Sequence, residues 1–339
     1  MPSASGDIRA AVVGAGSWGT VFAVHLATQG ARTVLLARRR EQAEEMAHTL
    51  RNPDYVTFLE LPASLGFSTM DEGDLSQTDL VVLAVPSRAF AETVRALSPR
   101  LRDGVGLLSL TKGIDPNTLD RLSQVLERET AALQPRVAVL SGPNHAEEVA
   151  LNQPTATVIA SHDDAFAADL QDLLSSDYFR PYRSKDVVGV ELAAAVKNVI
   201  ALATGMADGL GYGDNVRAAL ITRGLAEMAR LGEAFGASPM TFAGLAGMGD
   251  LIATCTSRHS RNRRAGELIA QGYSPEDVEK ELGMVAEGLT AAPAVLELAR
   301  RKGVEMPITE NVVAVIFEGK DLSASVRDLM GRPARAERH

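Results

Sequence analysis

The chain has 339 residues, 46% of them hydrophobic, enough for one large or two ordinary packed domains and incompatible with a disordered, collagen-like or coiled-coil chain. With 34 Lys and Arg against 43 Asp and Glu, the formal charge is −9. No surplus cationic field is left for a nucleic-acid backbone, so no nucleic-acid partner is expected. A single cysteine, Cys255, can build neither an internal disulfide nor a thiolate cluster, and the six histidines show no metal-ligand spacing. No metal is expected, and a reducing, cytoplasmic setting suits the chain.

In chain order, residues 1–6 are small and read as a fraying end, and residues 8–13 form an apolar, β-rich run. Gly14-Ala15-Gly16-Ser17-Trp18-Gly19 follows directly and opens a helical pattern over residues 20–29. The uncharged stretch 10–31 imitates a membrane segment in length. The three glycines, Thr20, His25, Thr28 and Gln29 within it, with Asp7 ahead of it, argue for a soluble strand, turn and helix. Further continuous apolar runs lie at 33–37, 80–85, 105–110, 137–140 and 155–160, with helical stretches between several of them. Continuous rather than alternating apolarity predicts strands buried on both faces, hence a parallel, doubly wound α/β sheet. After about Asp186 the strand runs stop, and Ala/Leu/Met-rich stretches at 189–206 and 216–235 predict an all-helical second half. The expected division is 7–187, 188–330 and a frayed tail at 331–339.

The Gly14, Gly16, Gly19 loop sits between a strand and a helix, where dinucleotide binding needs it. The first glycine makes the tight turn, the second lets backbone approach a pyrophosphate, and the third allows close helix packing. Where an NAD site usually ends its second strand in a carboxylate, this chain has Arg38-Arg39-Arg40. Guanidinium forks pair with a 2′-phosphate, so NADP(H) is favoured, with NAD(H) still admitted; the other reading is a solvated basic helix start. In the apolar segment 191–203 two polar residues, Lys197 and Asn198, stand side by side. Adjacent helix positions point about 100° apart, so one exposed stripe does not explain both. Lys197 either snorkels to water or is a buried ammonium whose pKa falls toward neutrality, suited to proton transfer.

Arg258-His259-Ser260-Arg261-Asn262-Arg263-Arg264 packs four arginines into seven residues of an acidic protein, just after Asp250. Such a cluster suits a phosphate dianion, although charge runs are also commonly solvated faces. Thr111-Lys112-Gly113 and Ser141-Gly142-Pro143-Asn144 end successive strands, the edge at which open α/β sheets bind ligands.

Taken together, GAGSWGT, SLTKGI, SGPN, AVKNVIALATG, GMGDLIATCTSRHSRN and VAEGLTAA make the chain resemble the bacterial glycerol-3-phosphate dehydrogenases from about residue 8 to residue 329. The resemblance implies a Rossmann N-terminal domain, a C-terminal domain like that of 6-phosphogluconate dehydrogenase, and reduction of dihydroxyacetone phosphate with NAD(P)H for glycerophospholipid synthesis. It implies Lys197 as proton donor or acceptor, with Lys112, Gly142, Asn144, Lys197, Asp250, Ser260, Arg261 and Asn262 around the substrate. Ser17, Trp18, Arg38, Arg39, Lys112, Ala146, Arg261, Val285 and Glu287 join Gly14, Gly16 and Gly19 around the cofactor. The substrate expected is a small phosphorylated ketose, and a homodimer is left open. Two other readings share the fold: a β-hydroxyacid or ketopantoate reductase, where a carboxylate replaces the phosphate, and a non-catalytic NADP redox sensor.

Overall fold

A computed structural model of the chain describes residues 8–331; the ends expected to fray, residues 1–6 and all of the tail beyond 331, lie outside the described residues. The N-terminal half alternates strands and helices: β1 (Arg9–Val13), α1 (Ser17–Thr28), β2 (Arg32–Ala37), α2 (Arg40–Thr49), β3 (Gly66–Thr69), β4 (Leu80–Leu83) and α3 (Ser87–Leu97). It continues through β5 (Gly106–Ser109), α4 (Leu122–Glu129), β6 (Arg136–Ser141), α5 (Ala146–Ala150), β7 (Thr155–Ala160), α6 (Asp164–Leu174) and β8 (Phe179–Ser184).

The strands form one sheet in the order β3-β2-β1-β4-β5-β6-β7-β8. The chain order reverses between β1 and β4, and this opens the crevice at which such sheets bind dinucleotides. β1 pairs in parallel with both β2 and β4, with Val12 opposite Leu35 on one side and Val82 on the other. Those side chains are fully buried, which is why the strands read as continuous apolar runs.

The expected sheet was wholly parallel, and the structure corrects this at one place: β7 runs antiparallel to β6. Parallel neighbours are usually joined by a crossover helix; the link between β6 and β7 holds only the five-residue α5, and β7 returns alongside β6 in the opposite sense. Two edge strands, β3 and β8, were not expected. β8, of sequence FRPYRS, buries Phe179 and Pro181 and exposes Arg180 and Tyr182, an alternating edge pattern that tolerates proline.

The C-terminal half is helical: α7 (Val187–Gly209), α8 (Asp214–Ala234), α9 (Pro239–Ala243), α10 (Asp250–Thr256), α11 (Arg261–Ala270) and α12 (Pro275–Leu282). It closes with α13 (Glu287–Lys302), α14 (Pro307–Phe317) and α15 (Leu322–Met330). α7 is its axis. Asp186 caps it by accepting the Gly189 N–H at 2.9 Å, and its other oxygen accepts the Ser238 N–H at 2.9 Å. α7 is long and apolar enough to cross a bilayer, yet 94% of its most apolar window lies buried inside the fold, as in a core helix wrapped by its neighbours.

α11 lies almost backbone to backbone on α7. A Cβ at Gly205 would fall 1.9 Å from the Arg263 carbonyl oxygen, and one at Gly266 would fall 2.2 Å from the Leu202 carbonyl oxygen. Neither obstacle is a side chain that can swing away. Gly205→Ala is therefore expected to push the two helices apart and to cost about 1–3 kcal/mol or more of stability. Denaturant unfolding measures this, and an unchanged midpoint would show that the crossing has slack.

Candidate active site

The glycine loop after β1 has the geometry that its sequence requires. Gly14 has φ +108°, and a Cβ there would fall 2.6 Å from the Ala84 carbonyl oxygen. A Cβ on Gly19 would meet the Gly14 carbonyl oxygen at 1.9 Å, so α1 packs against the loop only with glycine there. A Cβ on Gly16 meets nothing within 4 Å: the fold itself does not require glycine at that point. The first turn of α1 carries no side-chain cap and no acidic residue, which leaves N–H donors for an anion. The Trp18 Nε1–H is buried without a protein partner. These features fit the pyrophosphate of a dinucleotide.

Two lysines from the two halves of the chain meet over one carboxylate. Lys112, just beyond β5, donates to Gly142 O at 2.9 Å, Asn144 Oδ1 at 2.8 Å and Asp250 Oδ2 at 2.8 Å. Lys197, midway along α7, donates to Asp250 Oδ1 at 2.7 Å and to Thr254 Oγ1 at 2.8 Å. An ammonium has three N–H donors. Lys112 spends all three on the protein, whereas Lys197 spends two and keeps one.

Burial sets the electrostatics. Lys197 is 4% exposed and Asp250 is 2% exposed. Desolvation pulls the Lys197 ammonium from its ordinary 10.5 down to about 8, Asp250 resists the fall, and the Lys112 charge adds to it. Burial by itself would raise Asp250, but the two ammonium groups outweigh it and hold the carboxyl below its ordinary value. His145, in the same wall, is pushed down by burial and then by the Lys197 charge.

Beside Lys197, the Asn198 Nδ2 group donates to the Lys112 carbonyl at 3.2 Å. Its Oδ1 accepts from Asn262 Nδ2 at 2.9 Å, and Asn262 Oδ1 in turn accepts the Gly288 N–H at 2.8 Å. The two adjacent polar residues of α7 thus serve two different neighbours. Lys197 does not snorkel.

The residues singled out from the sequence converge on one cleft of about 610 Å³ between the sheet edge and the helical half. Gly14, Gly16, Ser17, Trp18, Arg38, Arg39, Ala146, Val285 and Glu287 line it, together with Lys112, Asn144, Lys197, Asp250, Ser260, Arg261 and Asn262. Two do not. Gly19 packs behind the loop, and Gly142 stands behind Lys112: its carbonyl holds the ammonium, and a Cβ there would fall 2.9 Å from Thr157 Cα. Gly142 thus supports a cleft residue from behind.

The four-arginine cluster is also corrected. Arg263 pairs with Asp208 at 2.7 Å and Glu267 at 3.0 Å, and Arg264 pairs with Glu267 at 2.8 Å. Arg258 lines an adjoining cavity. Only Arg261 reaches the cleft, its guanidinium donating to the Val285 carbonyl at 3.3 Å. Asp208 and Glu267 draw Arg263 and Arg264 away from the cleft that Arg261 lines.

Sequence reasoning missed Thr254, one helical turn beyond Asp250 and so on the same face of α10, a spacing that could have revealed it. Among the described residues no group of three His, Cys, Asp or Glu is arranged to hold a metal ion.

A glycine-loop crevice at the switch point of a doubly wound sheet, facing a buried lysine on a helical second half, defines a two-domain nicotinamide-dinucleotide oxidoreductase. Residues 9–167 match the family model for the N-terminus of NAD-dependent glycerol-3-phosphate dehydrogenase, and residues 186–327 match the model for its C-terminus. The chain belongs to the NAD-dependent glycerol-3-phosphate dehydrogenase family.

It is 49% identical over 327 residues to the glycerol-3-phosphate dehydrogenase (NAD(P)+) of Moorella thermoacetica, covering 96% of this chain and 97% of the relative. It is 46% identical over 332 residues to that of Shouchella clausii, covering 97% of each. The crystal structure of glycerol-3-phosphate dehydrogenase from Coxiella burnetii superposes with a TM-score of 0.90 at 38% identity, covering 96% of this chain and 99% of that one.

The loop geometry separates two glycines. Gly16→Ala should leave unfolding within about 0.5 kcal/mol of the parent while weakening dinucleotide binding. Gly19→Ala should lower stability itself. Thermal unfolding and a cofactor titration of both variants check this, and equal behaviour of the two would refute the pyrophosphate assignment.

Proposed function

We propose that the protein reduces dihydroxyacetone phosphate to sn-glycerol 3-phosphate with NAD(P)H, the step that supplies the glycerophospholipid backbone. The observation that carries this reading is the single open N–H of Lys197, in a cleft that a dinucleotide loop bounds on one side and Arg261 on the other. A bound reduced nicotinamide supplies a hydride to the substrate's carbonyl carbon.

The chain's own residues do the rest. Lys197 directs its free N–H at the carbonyl oxygen and gives it a proton as negative charge gathers there, then regains one from water. Asp250 and Thr254 hold that ammonium in place, and the fixed positive charges of Lys112 and Lys197 stabilise the developing alkoxide without reorganising. Arg261 takes the phosphate, helped by the second Asn262 N–H and the hydroxyl of Ser260, and so holds the carbonyl at Lys197. A proton donor buried to 4% exposure has no use in a redox sensor, which favours the enzyme reading. The single cysteine is buried, which suits an enzyme of the cytoplasm.

Purified protein should oxidise NADPH when dihydroxyacetone phosphate is added and leave it unchanged with dihydroxyacetone at the same concentration; equal rates on both would remove the phosphate from the reading. Lys197→Met should lower kcat by about 10²–10⁴ while cofactor binding persists. Because the acid must be protonated, kcat for reduction should fall as pH rises through about 8, and oxidation of glycerol 3-phosphate should rise over the same range. A flat profile from pH 6 to 10, or near-normal turnover of Lys197→Met, would give the proton to another group.

The proposed cofactor preference is for NADP(H). Arg38 lies exposed at the end of β2 on the cleft wall with no ion pair among the described residues, ready for a 2′-phosphate. Arg39 is half engaged by Asp54, and Arg40 turns away to Glu72. Changing Arg38 and Arg39 together to Ala should raise KM for NADPH by about tenfold or more and leave that for NADH nearly unchanged. Steady-state kinetics with both nucleotides measures the difference, and unaltered NADPH kinetics would put these side chains in solvent.

A further inference from the structure

Glu287 lines the cofactor cleft, but both of its carboxylate oxygens are occupied by the other half of the chain. Oε1 accepts the Ser87 N–H at 3.1 Å, and Oε2 accepts the Ser87 hydroxyl. Ser87 is 1% exposed and is the first residue of α3. That helix begins after Pro86, without a side-chain cap of its own and without an acidic residue in its first turn, so the orphan donor and the positive end of α3 find their anion in the helical half. The next residue repeats the link: Arg88 NH1 meets the Glu279 carboxylate of α12 at 3.0 and 3.2 Å. The contact is closely packed, since a Cβ on Gly113 would fall 2.7 Å from Ser87 Cβ and 3.3 Å from Glu287 Oε2.

We propose that Glu287 acts as an interdomain clasp, which caps α3 through Ser87 and so fixes one wall of the cofactor crevice. α3 hangs directly from the loop after β4, and Ala84 in that loop is what Gly14 packs against. Moving the start of α3 therefore moves the crevice wall. The clasp also reaches the substrate side. Gly288, next along α13, donates to Asn262 Oδ1, and the chain runs on through Asn198 to the backbone of Lys112. The inference rests on the reading that this crevice takes a nicotinamide dinucleotide.

The test is a double-mutant cycle of Ser87→Ala and Glu287→Ala, with Glu287→Gln as the conservative variant. It is read by apo-protein unfolding temperature and by NADPH affinity from the fluorescence of Trp18, the chain's single tryptophan. In the parent, Ser87→Ala should weaken NADPH binding by roughly three- to tenfold and lower the unfolding temperature by a few degrees. In the Glu287→Ala background the same change should do nothing, because the partner is already gone. Glu287→Gln should keep part of the affinity that Glu287→Ala loses. The clasp is overturned if Ser87→Ala acts equally in both backgrounds, or has no effect in either, while Glu287→Ala still weakens NADPH. If the parent protein binds no NADPH, the functional reading fails on its own, and the unfolding cycle of the apo-protein still decides the clasp.

Discussion

The site depends on one carboxylate. Asp250 is buried, and each of its oxygens holds one ammonium, Lys197 from the long core helix and Lys112 from the edge of the sheet. A buried charge is tolerable only when paired and fully hydrogen-bonded, and removing one partner from such a group costs about 3–5 kcal/mol. The arrangement therefore has no partial form. With the carboxylate in place, both cations are held close to the reacting position; without it, two positive charges would face each other in a poorly solvated cleft. It is also a tie between domains, because its two lysines come from opposite sides of the cleft.

Other buried polar contacts run across the same boundary. Glu191, on α7, accepts from Arg121 at 2.7 Å and from the Ser123 N–H at 2.8 Å, so the helical half also caps α4. Burial pushes the Glu191 carboxyl upward, and Arg121 with Ser123 pulls it back. Glu287 and Ser87 repeat the motif at α3. At α3 and α4, backbone N–H groups at a helix start of the α/β half thus find carboxylates of the helical half. Such contacts are directional and allow little sliding, so they fix the relative placement of the halves more sharply than apolar packing would.

What the sequence made legible follows from which signals are local. Central strands such as β1 and β4 were visible because both of their faces are buried, and the glycine loop was visible because its three glycines fall within six residues between a strand and a helix. Lys197 stood out because an ammonium among Ala, Val and Leu contradicts its surroundings. The edge strands β3 and β8 carry half-polar patterns indistinguishable from loops. The antiparallel turn of β7 against β6 has no signature in any one residue type. The arginine cluster misled for a related reason: composition counts charges, but the helix of α11 sends Arg263 and Arg264 to Asp208 and Glu267 and leaves Arg261 alone in the cleft. The clasp between Ser87 and Glu287 spans 200 positions and has no local trace.

The glycine crossing of α7 and α11 has a consequence for recognition. Lys197 lies eight residues before Gly205 on one rod, about 12 Å along its axis, and Arg261 lies five residues before Gly266 on the other, about 7.5 Å. Because backbone meets backbone at the crossing, with no side chains between to repack, the two rods act as a rigid set-square whose arms end in the ammonium and the guanidinium. On the proposed reading, the molecule measures its substrate. The separation of these two helix-borne charges is thus set where the helices cross, at Gly205 and Gly266, rather than by the walls of a pocket.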